Sequence, residues 1–262
     1  MSAKPFYETR VEGLPVSVYA TNQEMGGAAA QEASAVIQSA VREKGTANII
    51  IATGNSQLAF LAALRACDEI DWSLVNIFHM DEYVGIDPNH PASFPKFLRQ
   101  HLLNYIQPKA FYPVSGQAQD LGHACQEYER LLRAHPADLC ALGFGENGHL
   151  AFNDPPFAKF DDLVWVKVVK LAEASRRQQV GEGHFAALGE VPTHAITLTI
   201  PALLSAQRIF AIVPEARKAN AVFQALRGPI TSDCPGSVLR QITRARLFLD
   251  RDSAAKILAD KE

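Results

Sequence analysis

Two segments of the chain place titratable side chains directly after apolar runs. The first is GFGENGHLAFND at 143–154, where Asn147 precedes His149 by two residues and Asp154 follows it by five. An imidazole beside an acid has a fixed tautomer and can move a proton between sugar oxygens. A lone histidine is more often simply hydrogen-bonded in a core, and this structural alternative has to be weighed against the chemical one. The glycines on both sides of His149 favour an irregular loop at the edge of a sheet.

The second segment, HMDEYVG at 79–85, contains the adjacent acids Asp81 and Glu82. Burial at a water-poor edge raises the pKa of a carboxyl, so that it can serve as a general base near neutral pH. A helix cap or a surface turn would account for the same two acids without any chemistry. The segment therefore offers a candidate base and leaves the structural alternative open.

Two further positions suit an anion. Thr53, Gly54, Asn55 and Ser56 lie between an apolar run and a predicted helix, whose free N–H groups and dipole attract phosphate. An ordinary strand–turn–helix with a serine cap would have the same sequence. Lys218, after the apolar run RIFAIV, is either a second phosphate contact or a solvated lysine.

The elements that must position these residues alternate between short apolar runs and longer amphipathic segments. The runs 15–20, 48–53, 74–80, 138–144, 164–171, 193–199, 208–213 and 245–250 predict strands. The segments 23–43, 56–66, 93–103, 120–134, 216–226 and 253–259 predict helices, the first ending at Gly45. The strands are continuously apolar, which is typical of parallel strands that are covered on both faces.

The predicted fold is α/β, a doubly wound, mostly parallel sheet with helices on both faces in three layers, as in Rossmann-like proteins. Ligands of such sheets bind beyond the carboxyl ends of the strands. The three polar loops at 53–57, 79–85 and 145–154 each follow a predicted strand and are expected to meet there. The sequence contains no evident linker, so residues 1–262 are predicted to form a single domain.

Composition excludes several classes of function. The chain has 262 residues and a net charge of −3 without a basic block, which argues against nucleic acid as a partner. Its four cysteines are far apart and have no metal-ligand spacing, so neither a metal site nor a disulfide is expected. The first residues lack an apolar signal core, and no apolar run reaches the ~18 residues of a membrane span. A cytoplasmic location without membrane contact is the expectation.

Together these motifs resemble the glucosamine-6-phosphate deaminase (isomerase) family, which is related to the 6-phosphogluconolactonases. The motifs that carry the resemblance are ATGNSQ at 52–57, FHMDEYVGI at 78–86, HPASF at 90–94, LGFGENGHLAFNDP at 142–155 and LLSAQRIFAIVPEARKANAV at 203–222. The combination of MDEYVG with GHLAFND favours the deaminase branch over the lactonase branch.

The resemblance implies conversion of D-glucosamine 6-phosphate and water to D-fructose 6-phosphate and ammonia. It makes Asp81 the base that moves the C2 proton towards C1, and His149 the group that opens the pyranose ring. Asn147 and Asp154 occupy the positions that support His149, and the loop at 53–56 with Lys218 would hold the phosphate. No metal or redox cofactor is implied, because proton transfers alone accomplish the isomerisation.

Two residues depart from the usual family pattern. Many members have Asp at the position of Asn147 and Glu at the position of Asp154. An asparagine can accept a hydrogen bond from an imidazole but supplies no charge. Asp154 is one methylene shorter than Glu, so its contact with His149 is expected to shift or to need a water molecule.

Three alternatives stay open at this point: a galactosamine-6-phosphate isomerase, a 6-phosphogluconolactonase, and a non-catalytic sugar-phosphate sensor. A sensor would have no need for both Asp81 and His149. The segment after 156 matches the family poorly, and a phosphate-binding arginine there is not assigned between Arg176 and Arg177. The sequence leaves open whether the chain forms a homo-oligomer.

Overall fold

The computed structural model describes residues 3–155 and 157–260. The strands within this part are β1 (Tyr7–Val11), β2 (Leu14–Tyr19), β3 (Ala47–Ile51), β4 (Val75–His79), β5 (Asp81–Tyr83), β6 (Ala110–Tyr112), β7 (Leu139–Leu142), β8 (Val166–Lys170), β9 (His194–Leu198), β10 (Arg208–Val213) and β11 (Ala245–Asp250). The α-helices are α1 (Asn22–Lys44), α2 (Leu58–Arg65), α3 (Phe94–Leu98), α4 (Leu121–Ala134), α5 (Glu173–Gly181), α6 (Ile200–Leu203), α7 (Ala219–Arg227) and α8 (Ala255–Ala259). Short 3₁₀ turns cover Asn55–Gln57, Trp72–Leu74, Leu188–Glu190, Ala216–Lys218 and Pro235–Gln241, and a π-helical turn covers Arg99–Leu103.

The larger sheet is mostly parallel, as the continuous apolar runs predict. Its order is β1-β2-β11-β10-β7-β3-β4-β6, and every neighbouring pair is parallel except β1 with β2. The loops that leave the carboxyl ends of β3, β4 and β7 are those that contain the candidate site residues. The predicted α/β fold class is confirmed, and with it the common edge on which the functional prediction depends.

The central strands are continuously apolar because both of their faces are buried. In β3, Ile49 and Ile51 pack into the core layer under α1 and α2, whereas Ile50 packs into the layer on the other face. In β10, Phe210 and Ile212 belong to the first layer, and Ile209 and its alternate neighbours belong to the second. Alternate side chains therefore enter two separate cores.

Helix α1 shows both of the end signals that the sequence contains. The side chain of Thr21 accepts a hydrogen bond from the Glu24 amide, which caps the first turn. Gly45 follows the last turn with φ 74°, a left-handed conformation that favours glycine, and its N–H donates to the Val41 carbonyl. The predicted end of this helix at Gly45 is confirmed.

A second, smaller sheet corrects two predictions. The runs 164–171 and 193–199 form strands β8 and β9, but these strands are not in the main sheet. Strand β9 lies between β5 and β8 and pairs antiparallel with both. The segment at 79–85, predicted as a loop, supplies β5. The sequence of β8, VKVVK, has the partial alternation of a strand with one exposed face, which a parallel strand in the main sheet would lack.

Several elements were not predicted. Strand β1 lies in the segment before the first predicted strand, and the helices α5 and α6 and the strand β6 also lacked a clear pattern. No helix in the described part of the chain is long and apolar enough to cross a membrane. The single domain predicted for 1–262 stays a prediction, and residues 1, 2, 156, 261 and 262 lie outside the described residues.

Two adjacent glycines in α1 allow a test of its packing on α2. A Cβ on Gly26 would lie 2.8 Å from the backbone of Ala59 and Phe60, whereas a Cβ on Gly27 would meet nothing within 4 Å. We expect Gly26→Ala to lower the free energy of unfolding by about 1–3 kcal/mol through overpacking. Gly27→Ala should raise it by up to about 1 kcal/mol, because alanine favours a helix. Urea unfolding measures both, and equal effects of the two substitutions would contradict the packing described.

Candidate active site

A cavity at the carboxyl edge of the main sheet contains most of the residues singled out in the sequence. They come from the loops after β3 and β7, from the start of β5 and from the turn before α7. Those that line the cavity are Thr53, Gly54, Asn55, Ser56, Asp81, His149 and Lys218. The structure thus brings the candidate base, the candidate imidazole and both candidate anion contacts to one hollow.

The loop after β3 forms one end of the cavity. Gly54 has φ 97°, a conformation that favours glycine, and the 3₁₀ turn Asn55–Gln57 leads directly into α2. The buried Gln57 amide donates to the Ile212 carbonyl at 3.2 Å and so fixes the turn against β10. A helix that opens at a cavity in this way presents N–H groups to a bound anion. We call Thr53–Ser56 together with Lys218 the anion site.

Lys218 completes the anion site from the other side. It ends the 3₁₀ turn Ala216–Lys218 and is 2% exposed, so it is not the solvated lysine of the structural alternative. Burial lowers its pKa, although the nearby Glu182 carboxylate opposes this effect. A buried ammonium that faces a cavity is available to a ligand rather than to bulk water.

Asp81 reaches the cavity from another element, as the first residue of β5. It pairs with Thr197 of β9 in the small sheet and is 8% exposed. Burial, helped by the charge of neighbouring Glu82, raises the pKa of Asp81 to about 8. Phe94 and Phe152 line the cavity beside it and keep its surroundings apolar. A carboxyl in such surroundings is a strong base once it is ionised.

Glu82 faces away from the cavity and has a different environment. Its carboxylate accepts hydrogen bonds from the Ser93 hydroxyl at 2.8 Å, from the Phe94 amide at 3.2 Å and from the Tyr83 amide at 2.9 Å. Burial still raises its pKa to about 7, with these donors acting in the opposite direction. Glu82 therefore ties β5 to the start of α3, and it is Asp81 that faces the cavity.

His149 is held through one ring nitrogen. Its Nδ1 lies 2.8 Å from Asn147 Oδ1 and 3.0 Å from Asp154 Oδ1. Both neighbours are oxygen acceptors, so the neutral ring carries its proton on Nδ1 and has its lone pair on Nε2. The structure brings Asn147 and Asp154 into contact with His149, and their supporting role stays a prediction.

Asp154 contacts His149 directly, so of the two outcomes expected from its short side chain the need for a bridging water molecule does not arise. Its Oδ1 also accepts from Asn147 Nδ2 at 3.1 Å and from the Ser175 hydroxyl of α5. Burial raises the pKa of Asp154, but the contacts with His149, Ser175 and Asn147 outweigh burial and lower it. Asp154 is therefore an anion beside the imidazole, and the bond from Ser175 compensates for the missing methylene.

Gly145 makes room for the imidazole. Its N–H donates to the His149 carbonyl at 2.9 Å, and a Cβ at this position would lie 2.0 Å from the ring carbon Cε1. No side chain fits there without moving the ring. Gly148 has φ 82° and reverses the chain just before His149. The two glycines that flank the histidine thus each have a specific geometric role.

Sequence reasoning missed the contribution of α5 and the loop after it. Gln178, Gln179, Glu182 and His184 all line the cavity. The segment is mostly polar, so hydrophobic periodicity gives no clear signal. One signal was present: GEGHF at 181–185 shares two glycines, a glutamate and a histidine with GENGH in the His149 loop.

Neither arginine considered for the anion site lies in the cavity lining. Arg176 donates to the Leu188 and Val191 carbonyls, so it braces the loop after α5. Arg177 pairs with Glu173 on the surface. Among the described residues there is also no group of three or more His, Cys, Asp or Glu side chains that could hold a metal ion.

Comparison with known proteins gives a consistent result. The family model described as glucosamine-6-phosphate isomerases/6-phosphogluconolactonase matches residues 20–248. The chain is 36% identical to glucosamine-6-phosphate deaminase of Exiguobacterium sibiricum over 86% of each chain. It is 34% identical to the deaminase of Streptococcus thermophilus, over 81% of this chain and 89% of the relative.

Solved structures show the same fold. A monomeric glucosamine-6-phosphate deaminase superposes with a TM-score of 0.84 and 28% identity, over 92% of this chain and 98% of that chain. The 6-phosphogluconolactonase of Trypanosoma brucei superposes with a TM-score of 0.77 and 18% identity, over 96% of this chain and the whole of the other. At 18% identity, the similarity to the Trypanosoma brucei protein shows only that the two chains share a fold.

The raised pKa of Asp81 predicts a specific dependence of stability on pH. Between the ordinary carboxyl pKa near 4 and about 8, the folded chain holds a proton that the unfolded chain has released. Raising the pH through this range therefore favours unfolding. Asp81→Asn removes this effect, so it should stabilise the fold by at least about 1 kcal/mol more at pH 8 than at pH 4.5.

Urea unfolding at the two pH values measures this difference. Asp68→Asn, which changes an exposed carboxylate, is the matched control and should show no comparable gain. A gain for Asp81→Asn that is the same at both pH values would show that Asp81 is ionised in the folded state throughout.

Proposed function

The chain belongs to the family of glucosamine-6-phosphate isomerases and 6-phosphogluconolactonases, and we propose on this premise that it is a glucosamine-6-phosphate deaminase. The reaction converts D-glucosamine 6-phosphate and water to D-fructose 6-phosphate and ammonia. The observation that carries the proposal is the meeting of Asp81 and His149 in one cavity with the anion site. The cytoplasmic location expected from the sequence is part of the same proposal.

The deaminase is favoured over the lactonase for two reasons. The curated relatives that match over more than four fifths of the chain are deaminases at 33–36% identity, whereas the lactonase structures match at 16–22%. A lactonase also needs a group that activates water, but Asp81 lies among apolar side chains. A base in such surroundings suits the removal of a proton from carbon.

In this proposal His149 opens the sugar ring. Its Nε2 takes the proton of the hydroxyl on C1 and returns it to the ring oxygen, so that the C1–O5 bond breaks and an aldehyde forms. The ring is an imidazolium for part of this exchange, and the Asp154 carboxylate at 3.0 Å stabilises that charge. Asn147 and Ser175 hold the carboxylate in place.

Asp81 then moves a proton between two carbons. It removes the proton from C2 of the open chain while O1 takes a proton from the ammonium group on C2, which gives an enolamine, and it then returns its own proton to C1. The nitrogen on C2 is then an iminium, and addition of water releases ammonia as its ammonium ion and leaves the ketone. One carboxylate placed beside C1 and C2 serves both steps, so the orientation of the substrate contributes much of the rate.

The anion site supplies that orientation. The phosphate on C6 takes no part in the chemistry, but its contacts with Lys218 and with the N–H groups of the Thr53–Ser56 loop fix the far end of the substrate. Binding energy from a non-reacting group can in this way be used to position the reacting carbons.

Two substitutions test the catalytic roles. We expect Asp81→Asn and His149→Gln each to lower kcat for ammonia release at least about 100-fold, the usual contribution of a general base. Asp81→Asn should also abolish exchange of the C2 hydrogen with deuterated solvent, because no other carboxyl faces that carbon in the proposal.

A coupled assay that measures ammonia and ketose 6-phosphate together provides the readout, with Asp68→Asn as the control. Running it on both glucosamine 6-phosphate and galactosamine 6-phosphate identifies the preferred epimer, and a lactone-hydrolysis assay tests the related activity. Turnover of Asp81→Asn within tenfold of the unsubstituted enzyme would end the assignment of Asp81 as the base.

A further inference from the structure

The anion site has a carboxylate beside it. Glu182, in the turn after α5, lines the cavity at the same end as Lys218. Its backbone carbonyl accepts from Asn55 Nδ2 at 3.5 Å, so the turn lies against the loop that would hold the phosphate. An acid at this end is unexpected, because a phosphate dianion and a carboxylate repel each other.

Glu182 is held firmly in this position. Its Oε1 accepts from Gln178 Nε2 at 2.8 Å and pairs with an Arg217 guanidinium nitrogen at 2.9 Å, while its Oε2 lies 3.4 Å from His184 Nε2. The side chain is only 7% exposed. Burial raises its pKa, but His184, Arg217, Gln178 and Lys218 outweigh burial and lower the pKa to about 2. The carboxylate is therefore ionised under all working conditions.

The same carboxylate also occupies the nearest arginine. Arg217 precedes Lys218 in the turn before α7, and its guanidinium contacts Glu182, Glu215 and, at 3.7 Å, Glu146. Three acids thus surround one guanidinium, and Glu182 is the one of the three that lines the cavity. The positive charge of Arg217, which does not itself line the cavity, is thus largely neutralised beside the anion site.

We propose that Glu182 competes with the substrate phosphate for the cations of this end of the cavity, and so determines how strongly the enzyme prefers phosphorylated over unphosphorylated amino sugars. This inference rests on the proposed function. The carboxylate lowers the gain from binding a phosphate, because it repels the dianion and offsets the attraction that Lys218 and Arg217 exert on that dianion. The Glu182 carboxylate does not weaken the binding of a sugar with a hydroxyl on C6, since that hydroxyl can donate a hydrogen bond to the carboxylate.

Glu182→Gln tests the proposal, because glutamine keeps the shape and removes the charge. We expect the ratio of kcat/KM for glucosamine 6-phosphate to kcat/KM for glucosamine to rise at least about tenfold, mainly through a lower KM for the phosphorylated sugar. Glu146→Gln is the matched control: it contacts the same Arg217 but is absent from the cavity lining, and it should change the ratio less than about threefold. A ratio that stays constant or falls in Glu182→Gln would overturn the proposal.

A binding measurement makes the test independent of turnover. Inorganic phosphate, titrated by calorimetry, should bind at least about tenfold more tightly to Glu182→Gln than to the unsubstituted enzyme. Glu182→Asp keeps the charge and should bind phosphate within about threefold of the unsubstituted enzyme. Weaker phosphate binding in Glu182→Gln, with a normal thermal unfolding curve, would show that Glu182 builds the anion site instead of competing for it.

The two proposals fail in different ways. If neither the unsubstituted enzyme nor any Glu182 variant releases ammonia from an amino-sugar phosphate, the proposed function is wrong. The phosphate titration still decides the role of Glu182 in that case. If ammonia is released but phosphate binds equally to all variants, the function stands and the inference on Glu182 is wrong.

Discussion

The cavity depends on the different environments of two buried carboxyls. Asp154 accepts hydrogen bonds from Asn147 and Ser175 and contacts His149, and these neighbours lower its pKa against the effect of burial. Asp81 is equally buried but lies beside aromatic side chains and Glu82, and its pKa rises to about 8. Opposite pKa shifts in neighbouring carboxyls are typical of acid–base sites, because one group is kept as an anion while the other can exchange a proton. The main sheet serves this arrangement by bringing loops from distant parts of the chain to one edge.

That arrangement opposes the stability of the fold. A carboxyl without donors or a cation nearby costs free energy whenever it is ionised, and Asp81 lies in a short strand that is held by the small antiparallel sheet. Glu82, the next residue, offsets part of this cost by binding the start of α3, but its charge also adds to the raised pKa of Asp81. The position of Asp81 therefore depends on β8, β9 and α3, and from these elements only Phe94 lines the cavity.

The sequence predicts the main sheet well and the rest of the site less completely. Continuously apolar runs indicate parallel strands that are covered by helices on both faces. In such a sheet the loops after β3, β4 and β7 leave from the same edge. The small sheet was mistaken for part of the main one because β9, HAITL, is as continuously apolar as β3, and only the pairing partner distinguishes them. Helix α5 has no clear apolar periodicity because Ser175 and Gln178 hold it through polar contacts with Asp154 and Glu146, and Val180 packs on a small apolar cluster. Such contacts join residues far apart in sequence and leave no periodic pattern.

The change from acid to amide at Asn147 follows from the same electrostatics. Its Oδ1 accepts from His149 and its Nδ2 donates to Asp154, so one side chain joins the two partners without adding charge. A carboxylate at this position would lie about as close to Asp154 as the 3.1 Å between Asn147 Nδ2 and Asp154 Oδ1, and two acids at that separation do not both ionise readily. With asparagine, Asp154 stays an anion beside His149. The shorter Asp154 is tolerated because Ser175 supplies a donor from α5. The helix that carries Ser175 also leads into the turn with Glu182, so α5 links the contacts of His149 structurally with the charge beside Lys218.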